Sequence, residues 1–590
     1  MKEFVKTMLA VICGFIVLQI IGFFFFLIMF VGAIAGGSSS SIPKEGVLDL
    51  NMSEFVIAEQ GEENPVPSFS AAGMTMPEAQ VGLFDAISAI EAAAADPGVK
   101  YILLRPEGAS AGLAQAEEFR AALQEFRRSG KAVIAWLEGA SNGSYYLATV
   151  ADKVYMSSYH GFNYQLIGLS SQMMYIKDIL DKLGVNVQLI RHGKYKSAGE
   201  MFIRSTASQE NREQNQVMIN SAWKTMSAAI AQAREISEED FNALVDNLSL
   251  VLPEDFKKAG LVDDIMTRGE LVQKLCTMAG VEKESELKLI PFADYAKAKV
   301  LPVLKPNIAV IYADGEIVDD KDELKDISGD RFVKVINKVA ADDAIKAVVL
   351  RVNSPGGSVS ASVKIRTALD SLKAKKPLVA SFGNYAASGG YWISNGCEKI
   401  YADANTITGS IGVFSMIPEF SKVTKNVGVN FESVGSNKHS DMFGLMRPFD
   451  AAELNYMQAS VEDIYEMFVN LVADGRKMAP SAVDAIAQGR VWMGSDALEI
   501  GLVDEIGSLK DAVIYAAGLA GIGPDDYKLA AYPAPLTLAE QILESMGKGT
   551  DGPSILGGTP FEGLDKEVLS VMSNNPGRPM ARMPYDYRIR

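Results

Sequence analysis

The sequence predicts an α/β protein: two tandem copies of one domain behind an N-terminal transmembrane helix. Three observations carry that expectation. Residues 7–35 form an uncharged, strongly apolar stretch. A set of identities recurs further along the chain at a constant offset of 246 residues. Within each copy, apolar runs follow the order strand, helix, strand, the signature of a βαβ unit with parallel strands. The scale agrees. A chain of 590 residues, 48% hydrophobic and 22% charged, supports several cores and excludes wholesale disorder.

The apolar stretch comes first. It exceeds the roughly 20 residues that span a bilayer. It also exceeds the roughly 7–15-residue apolar core of a cleaved secretory signal. Ala33-Ile34-Ala35 looks like a cleavage site, but the length favours a retained anchor. Lys2 and Lys6 precede the stretch and uncharged residues follow it, so the positive-inside bias keeps the N-terminus cytoplasmic. The expectation is a single-pass protein of the inner (cytoplasmic) membrane, in contact with lipid, with everything after residue 40 on the extracytoplasmic side.

The repeat comes next. Asp96 falls on Asp342, Lys100 on Lys346, Leu104-Arg105 on Leu350-Arg351, and Arg120 on Arg366. Gly143 falls on Gly389, Tyr145 on Tyr391, Lys153 on Lys399 and Tyr155 on Tyr401. Residues 101–104 and 347–350 read as buried strands, 116–128 and 362–375 as helices, and 131–137 and 377–382 as strands. The resulting domains are 1–40 (N-terminus and anchor), 45–300 (first, degenerate copy), 301–535 (second copy, opening with a strand at 307–312) and 536–590 (C-terminal extension). Residues 54–78, polar with three prolines, read as a loop. The stretch 574–590, with three prolines and four arginines, reads as a tail without a core of its own.

Composition narrows the chemistry. The net charge of −17 argues against a nucleic-acid partner. Three cysteines (Cys13, Cys276, Cys397) make neither a disulfide framework nor a zinc cluster, although Cys276 and Cys397 could pair if the fold brought them together. Three histidines (His160, His192, His439) lack metal-ligand spacing and leave a His-dependent triad few candidates. No metal or cofactor is expected.

The copies differ after their central strands. The second reads Ser354-Pro355-Gly356-Gly357-Ser358 where the first reads Gly108-Ala109-Ser110-Ala111-Gly112. A Pro-Gly-Gly turn at a strand end leaves bare backbone N–H groups that can face a ligand. Further on, the second copy has Ala386-Ala387-Ser388-Gly389-Gly390, and the first has Asn142 in the place of Ser388. Such a serine is a candidate nucleophile, although small residues there also serve simply to pack a helix on a sheet. A nucleophilic serine needs a base, and lysine is the next choice where histidine fails. Burial must then lower its pKa from about 10.4 by roughly three units. Lys196, in Tyr195-Lys196-Ser197-Ala198, and Lys438, in Ser436-Asn437-Lys438-His439, occupy comparable places after the two copies.

Together with Thr408-Gly409-Ser410-Ile411-Gly412, these motifs closely resemble the long-form signal peptide peptidases, peptidase family S49. The resemblance covers nearly the whole chain and implies the fold of the Clp-protease/crotonase superfamily, duplicated. It implies Ser388 as nucleophile, Lys196 as general base lent by the first copy, and Ser410 as the residue that orients the lysine. It implies an oxyanion hole of Gly389 with Gly356 or Gly357. It also implies degradation of cleaved signal peptides and other unfolded or membrane-proximal peptides, and a bowl-like homotetramer. Lys438 remains the alternative base, because in single-copy relatives the lysine follows the serine within one copy. If each copy lends its lysine to the other, Lys438 meets Asn142 and has nothing to activate.

Other readings compete. Gly139-Ala140-Ser141-Asn142-Gly143 fits the G-x-S-x-G nucleophile elbow but lacks a suitable later histidine. Gly193-Lys194 lacks the upstream glycine of a phosphate-binding loop. A crotonase-like acyl-thioester enzyme and an inactive membrane-associated scaffold are the rival functions.

Overall fold

The computed structural model describes residues 42–61, 68–70, 73–75, 79–161, 163–300, 303–319, 326–535 and 578–583, together with Gly14. The expected anchor therefore lies outside the described residues apart from Gly14, and most of 536–590 does too. No helix among the described residues is long and apolar enough to cross a membrane. Residues 45–590 form one compact unit that holds both copies, and 1–44 form a separate unit.

The duplication is visible in the topology. The first sheet orders its strands Asp264–Met266, Lys153–Ser157, Val133–Leu137, Val99–Arg105, Gly46–Asn51 and Leu289–Pro291, all parallel. The second sheet repeats that order with Glu505–Ile506, Ile400–Ala402, Leu378–Ala387, Ala347–Ser354, Ile308–Asp314 and Leu529–Tyr532, again parallel. Ile407–Gly409 and the antiparallel Val491–Met493 extend it past strand Leu378–Ala387. The apolar runs read from sequence became the inner strands, because an unbroken run such as Ala347–Leu350 suits a parallel strand covered on both faces.

The crossover helices also correspond. Leu113–Arg128 and Val359–Lys373 stand where the 3.6-residue pattern placed helices. Their buried faces include Phe119, Leu123 and Phe126 in one and Ile365, Leu369 and Leu372 in the other.

The expected loop at 54–78 is corrected in part. Phe55–Ala58 is a strand paired in parallel with Ala79–Gly82, and Ser68–Ser70 pairs with Gly73–Thr75. Phe55 and Ile57 alternate inward, and this period-two burial outweighs the polar composition around them.

A third sheet joins the copies. Its order is Asn186–His192, Val413–Glu419, Met580–Arg582, Gly356–Ser358, Ile317–Val318 and Ile327–Ser328. Asn186–His192 of the first copy runs antiparallel to Val413–Glu419 of the second, in register from Asn186↔Glu419 to His192↔Val413. This ladder positions the candidate site.

Candidate active site

Ser388 sits where strand Leu378–Ala387 gives way to helix Gly389–Ser394. Its backbone is strained, at φ 55° and ψ −111°, a conformation costing on the order of 1–3 kcal/mol in a non-glycine residue. Two hydrogen bonds hold it there. The Ser388 N–H donates to Gly409 O at 2.8 Å, and its carbonyl accepts from Trp392 N–H at 2.8 Å. The Ala and Gly neighbours permit this sharp exit from the sheet.

Lys196 arrives from the first copy. The seven-residue ladder of Asn186–His192 fixes where the chain re-emerges. Gly193 then turns at φ 99°, and Tyr195 N–H donates to Gln488 O at 2.9 Å. The lysine side chain is fully buried. Its Nζ lies 2.9 Å from Ser388 Oγ, 3.0 Å from Ser410 Oγ and 3.2 Å from Ser410 O. Burial holds its pKa well below the ordinary lysine value, since removing an ammonium from water disfavours the charged form. Ser410 is likewise strained, at φ 48°, and is pinned by its N–H donating to Arg490 O at 2.7 Å.

The glycines converge beside Ser388. Gly356 and Gly357 have φ of 98° and 153°. A Cβ on Gly356 would lie 2.6 Å from Gly389 N, and one on Gly389 would lie 3.1 Å from Gly356 Cα. No side chain fits between these segments, so bare backbone faces the serine. Gly356 N–H is already engaged by Ser354 Oγ at 3.2 Å.

Thus Ser388, Lys196, Ser410, Gly356, Gly357 and Gly389 are brought together. Lys438 is not. It is exposed in the stretch 428–438, and the Asn142 side chain is buried. The Asn142 amide is spent on its own copy: Nδ2 donates to Gly168 O at 2.8 Å, and Oδ1 accepts from the Ile167 and Gly168 N–H groups. The elbow candidate Ser141 caps its own short helix through Ser144 N–H. The histidines are engaged elsewhere: His192 stacks on Tyr465 at 3.8 Å, and His439 lies 2.9 Å from Glu453. Cys276 and Cys397 are buried and free. His439, Asp450 and Glu453 cluster among the described residues. Arg447, however, already engages both Glu453 oxygens at 2.7 Å and answers the charge a cation would otherwise meet.

Sequence reasoning missed the segment that grips the lysine. Gly489, at φ 77°, packs so closely that a Cβ there would sit 2.5 Å from Lys196 Cβ. Gly412 lies against both, with its own Cβ position 2.8 Å from Gly489 Cα and 3.2 Å from Lys196 Cδ. A lone glycine in Gln488-Gly489-Arg490 gives little sequence signal, because only the fold places it against a residue 293 positions earlier. Gly489→Ala is expected to displace Nζ. Misplacement by about 1 Å costs on the order of 100-fold in rate, so kcat for a peptide substrate should fall that far with circular dichroism unchanged. Retained kcat would show that the contact does not position the lysine.

The model of peptidase family S49 matches twice, over residues 125–282 and 370–523, near the repeat offset. The first match contains Lys196 and the second contains Ser388. A Clp protease model matches residues 309–405. Protease 4 of Haemophilus influenzae is 34% identical, covering 94% of this chain and 94% of that one. Protease 4 of Salmonella typhi is 34% identical over 91% of this chain and 88% of that one. The chloroplastic serine protease SPPA of Arabidopsis thaliana is 30% identical, over 83% and 75%.

Proposed function

Because the chain belongs to peptidase family S49 and is a serine protease, we propose that it hydrolyses peptide bonds with a Ser388/Lys196 dyad. The observation that carries this reading is the 2.9 Å approach of a fully buried Lys196 Nζ to Ser388 Oγ. A neutral amine has two N–H donors and one lone pair. Its donors fit Ser410 O and Ser410 Oγ, and its lone pair is left for the Ser388 hydroxyl proton.

The steps follow from that inventory. Lys196 Nζ takes the proton as Ser388 Oγ attacks the peptide carbonyl. Charge on the carbonyl oxygen is met by the Gly389 and Gly357 N–H groups, since Gly356 N–H is engaged. Such preorganised donors contribute about 3–4 kcal/mol each to transition-state stability. Lys196 returns the proton to the leaving amine, and water then releases the acyl group from Ser388. Ser410 holds Nζ in place throughout.

The substrates proposed are cleaved signal peptides and other extended, membrane-proximal peptides. Residues 7–35 would anchor the enzyme in the inner membrane beside that pool, with the catalytic copies outside the cytoplasm and four chains assembled as a tetramer. The test is acid quenching of the full chain in detergent during hydrolysis of a synthetic signal peptide, with digestion and mass spectrometry. An acyl adduct on Ser388 and internal cleavage products are expected. An adduct on another residue, or hydrolysis of an acyl thioester but not of the peptide, would overturn the reading.

A further inference from the structure

The described end of the chain lies in the candidate site. Met580–Arg582 is a strand running antiparallel to Gly356–Ser358, in the register Gly356↔Arg582, Gly357↔Ala581, Ser358↔Met580. On its other edge, Met580 pairs with Phe414. Met583 N–H donates to Pro355 O at 2.7 Å. Antiparallel ladders alternate hydrogen-bonded and non-bonded pairs. Two residues on from Pro355/Met583, Gly357/Ala581 is therefore the next bonded pair, with the Gly357 N–H directed at the Ala581 carbonyl. The same carbonyl oxygen lies 2.2 Å from where a Gly356 Cβ would stand and 3.1 Å from where a Gly389 Cβ would stand. Ala581 thus presents its carbonyl to the glycines beside Ser388.

The side chains are seated as well. Ala581 is fully buried. Met583, 2% exposed, packs among Met218, Ala222, Ile407, Val491 and Met493, residues of both copies. Arg582 and Arg578 face acidic residues on the cleft wall, 3.6 Å from Glu316 and 3.6 Å from Asp319.

We propose that residues 578–583 are a resident substrate mimic, lying in the cleft in the register of a peptide poised for hydrolysis at the Ala581–Arg582 bond. This rests on the Ser388/Lys196 reading and deepens it. The cleft takes an incoming peptide as a strand between Gly356–Ser358 and Val413–Glu419. It accepts a small side chain just before the scissile bond and a long apolar one at the second position after it. For a peptide in this register, the bond from Ser388 Oγ to the alanine carbonyl carbon forms and the C–N bond to arginine breaks. The Ser388 proton passes through Lys196 to the arginine amine, and water supplies the hydroxyl that frees the alanine carboxylate. While the tail occupies the cleft, other peptides must displace it.

Two arms test this. In the first, a fluorescent hexapeptide of sequence Arg-Pro-Met-Ala-Arg-Met is titrated into full-length Ser388→Ala chain, with the native tail or with Ala581→Phe, whose ring does not fit the buried alanine position. The Phe-tailed chain is expected to bind at least about tenfold more tightly, and equal affinity would overturn the proposal. This arm needs no catalysis, so it stands apart from failure of the dyad. In the second arm, chain with an intact serine should cut the hexapeptide at Ala–Arg. A cut at another bond, or no cut where a signal peptide is cut, would also overturn the proposal.

Discussion

Lys196→Met is expected to lose at least about 10³-fold in kcat/KM, because removing one member of a catalytic unit disables the whole. Lys196→Arg should be equally inactive. A guanidinium keeps its charge at any working pH, so it supplies a cation but no lone pair. Lys438→Met should retain full activity, since Lys438 is exposed and makes no bond to Ser388 or Asn142 among the described residues. Full activity in Lys196→Met would remove the lysine from the mechanism. The parent's kcat/KM should fall as pH drops through the depressed lysine pKa and its base becomes protonated.

The same group affects stability. From its lowered folded pKa up to about 10.4, the unfolded chain binds one proton more at this position than the native chain does. Stability therefore rises with pH across that window, and the neutral buried lysine costs stability within it, most at its lower end. Lys196→Met should be inactive yet melt higher than the parent at pH 7, with the gain shrinking toward pH 10. A lower Tm at pH 7 would contradict the burial argument.

Arg351→Met has the largest expected effect on stability. The guanidinium is fully buried where the copies meet. Its Nε donates to Glu59 at 2.7 Å and its Nη2 reaches Glu118 at 2.8 Å, both carboxylates from the first copy. Nη1 donates to Ser381 Oγ at 2.9 Å and Phe382 O at 3.0 Å. Removing one partner from a buried ionic cluster costs about 3–5 kcal/mol, because the remaining charges stay desolvated. Burial already raises Glu118 and, with Glu118 beside it, Asp403. Without the arginine these acids hold protons more tightly folded than unfolded. The variant's deficit should thus be smallest near pH 5 and grow toward neutrality. Equal melting of variant and parent at pH 7 would show that the cluster does not join the copies.

Much of the fold was legible in the sequence. The repeat announced itself because parallel strands covered on both faces are continuous apolar runs, and those runs recur with their helices between them. Ser388 was legible because a sharp strand-to-helix exit demands small neighbours, and Gly356-Gly357 because close backbone approach excludes side chains. The loop at 54–78 was misread where short strands alternate inward within a polar segment. Lys438 competed with Lys196 because the two occupy comparable places after their copies.

The sequence by itself determined the duplicated α/β architecture, the position of Ser388 and its glycines, and the Asn142 that stands in the first copy where the second has Ser388. These are local matters of hydrophobic period and steric room, written into neighbouring residues. Only the tertiary structure decided which lysine reaches the serine, what grips it, and what lies in the cleft. Lys196 meets a serine 192 residues away through the Asn186–His192 ladder, and Gly489 and Ala581 approach from other parts of the chain. Lysine becomes a base only through burial, and burial is a property of the assembled fold.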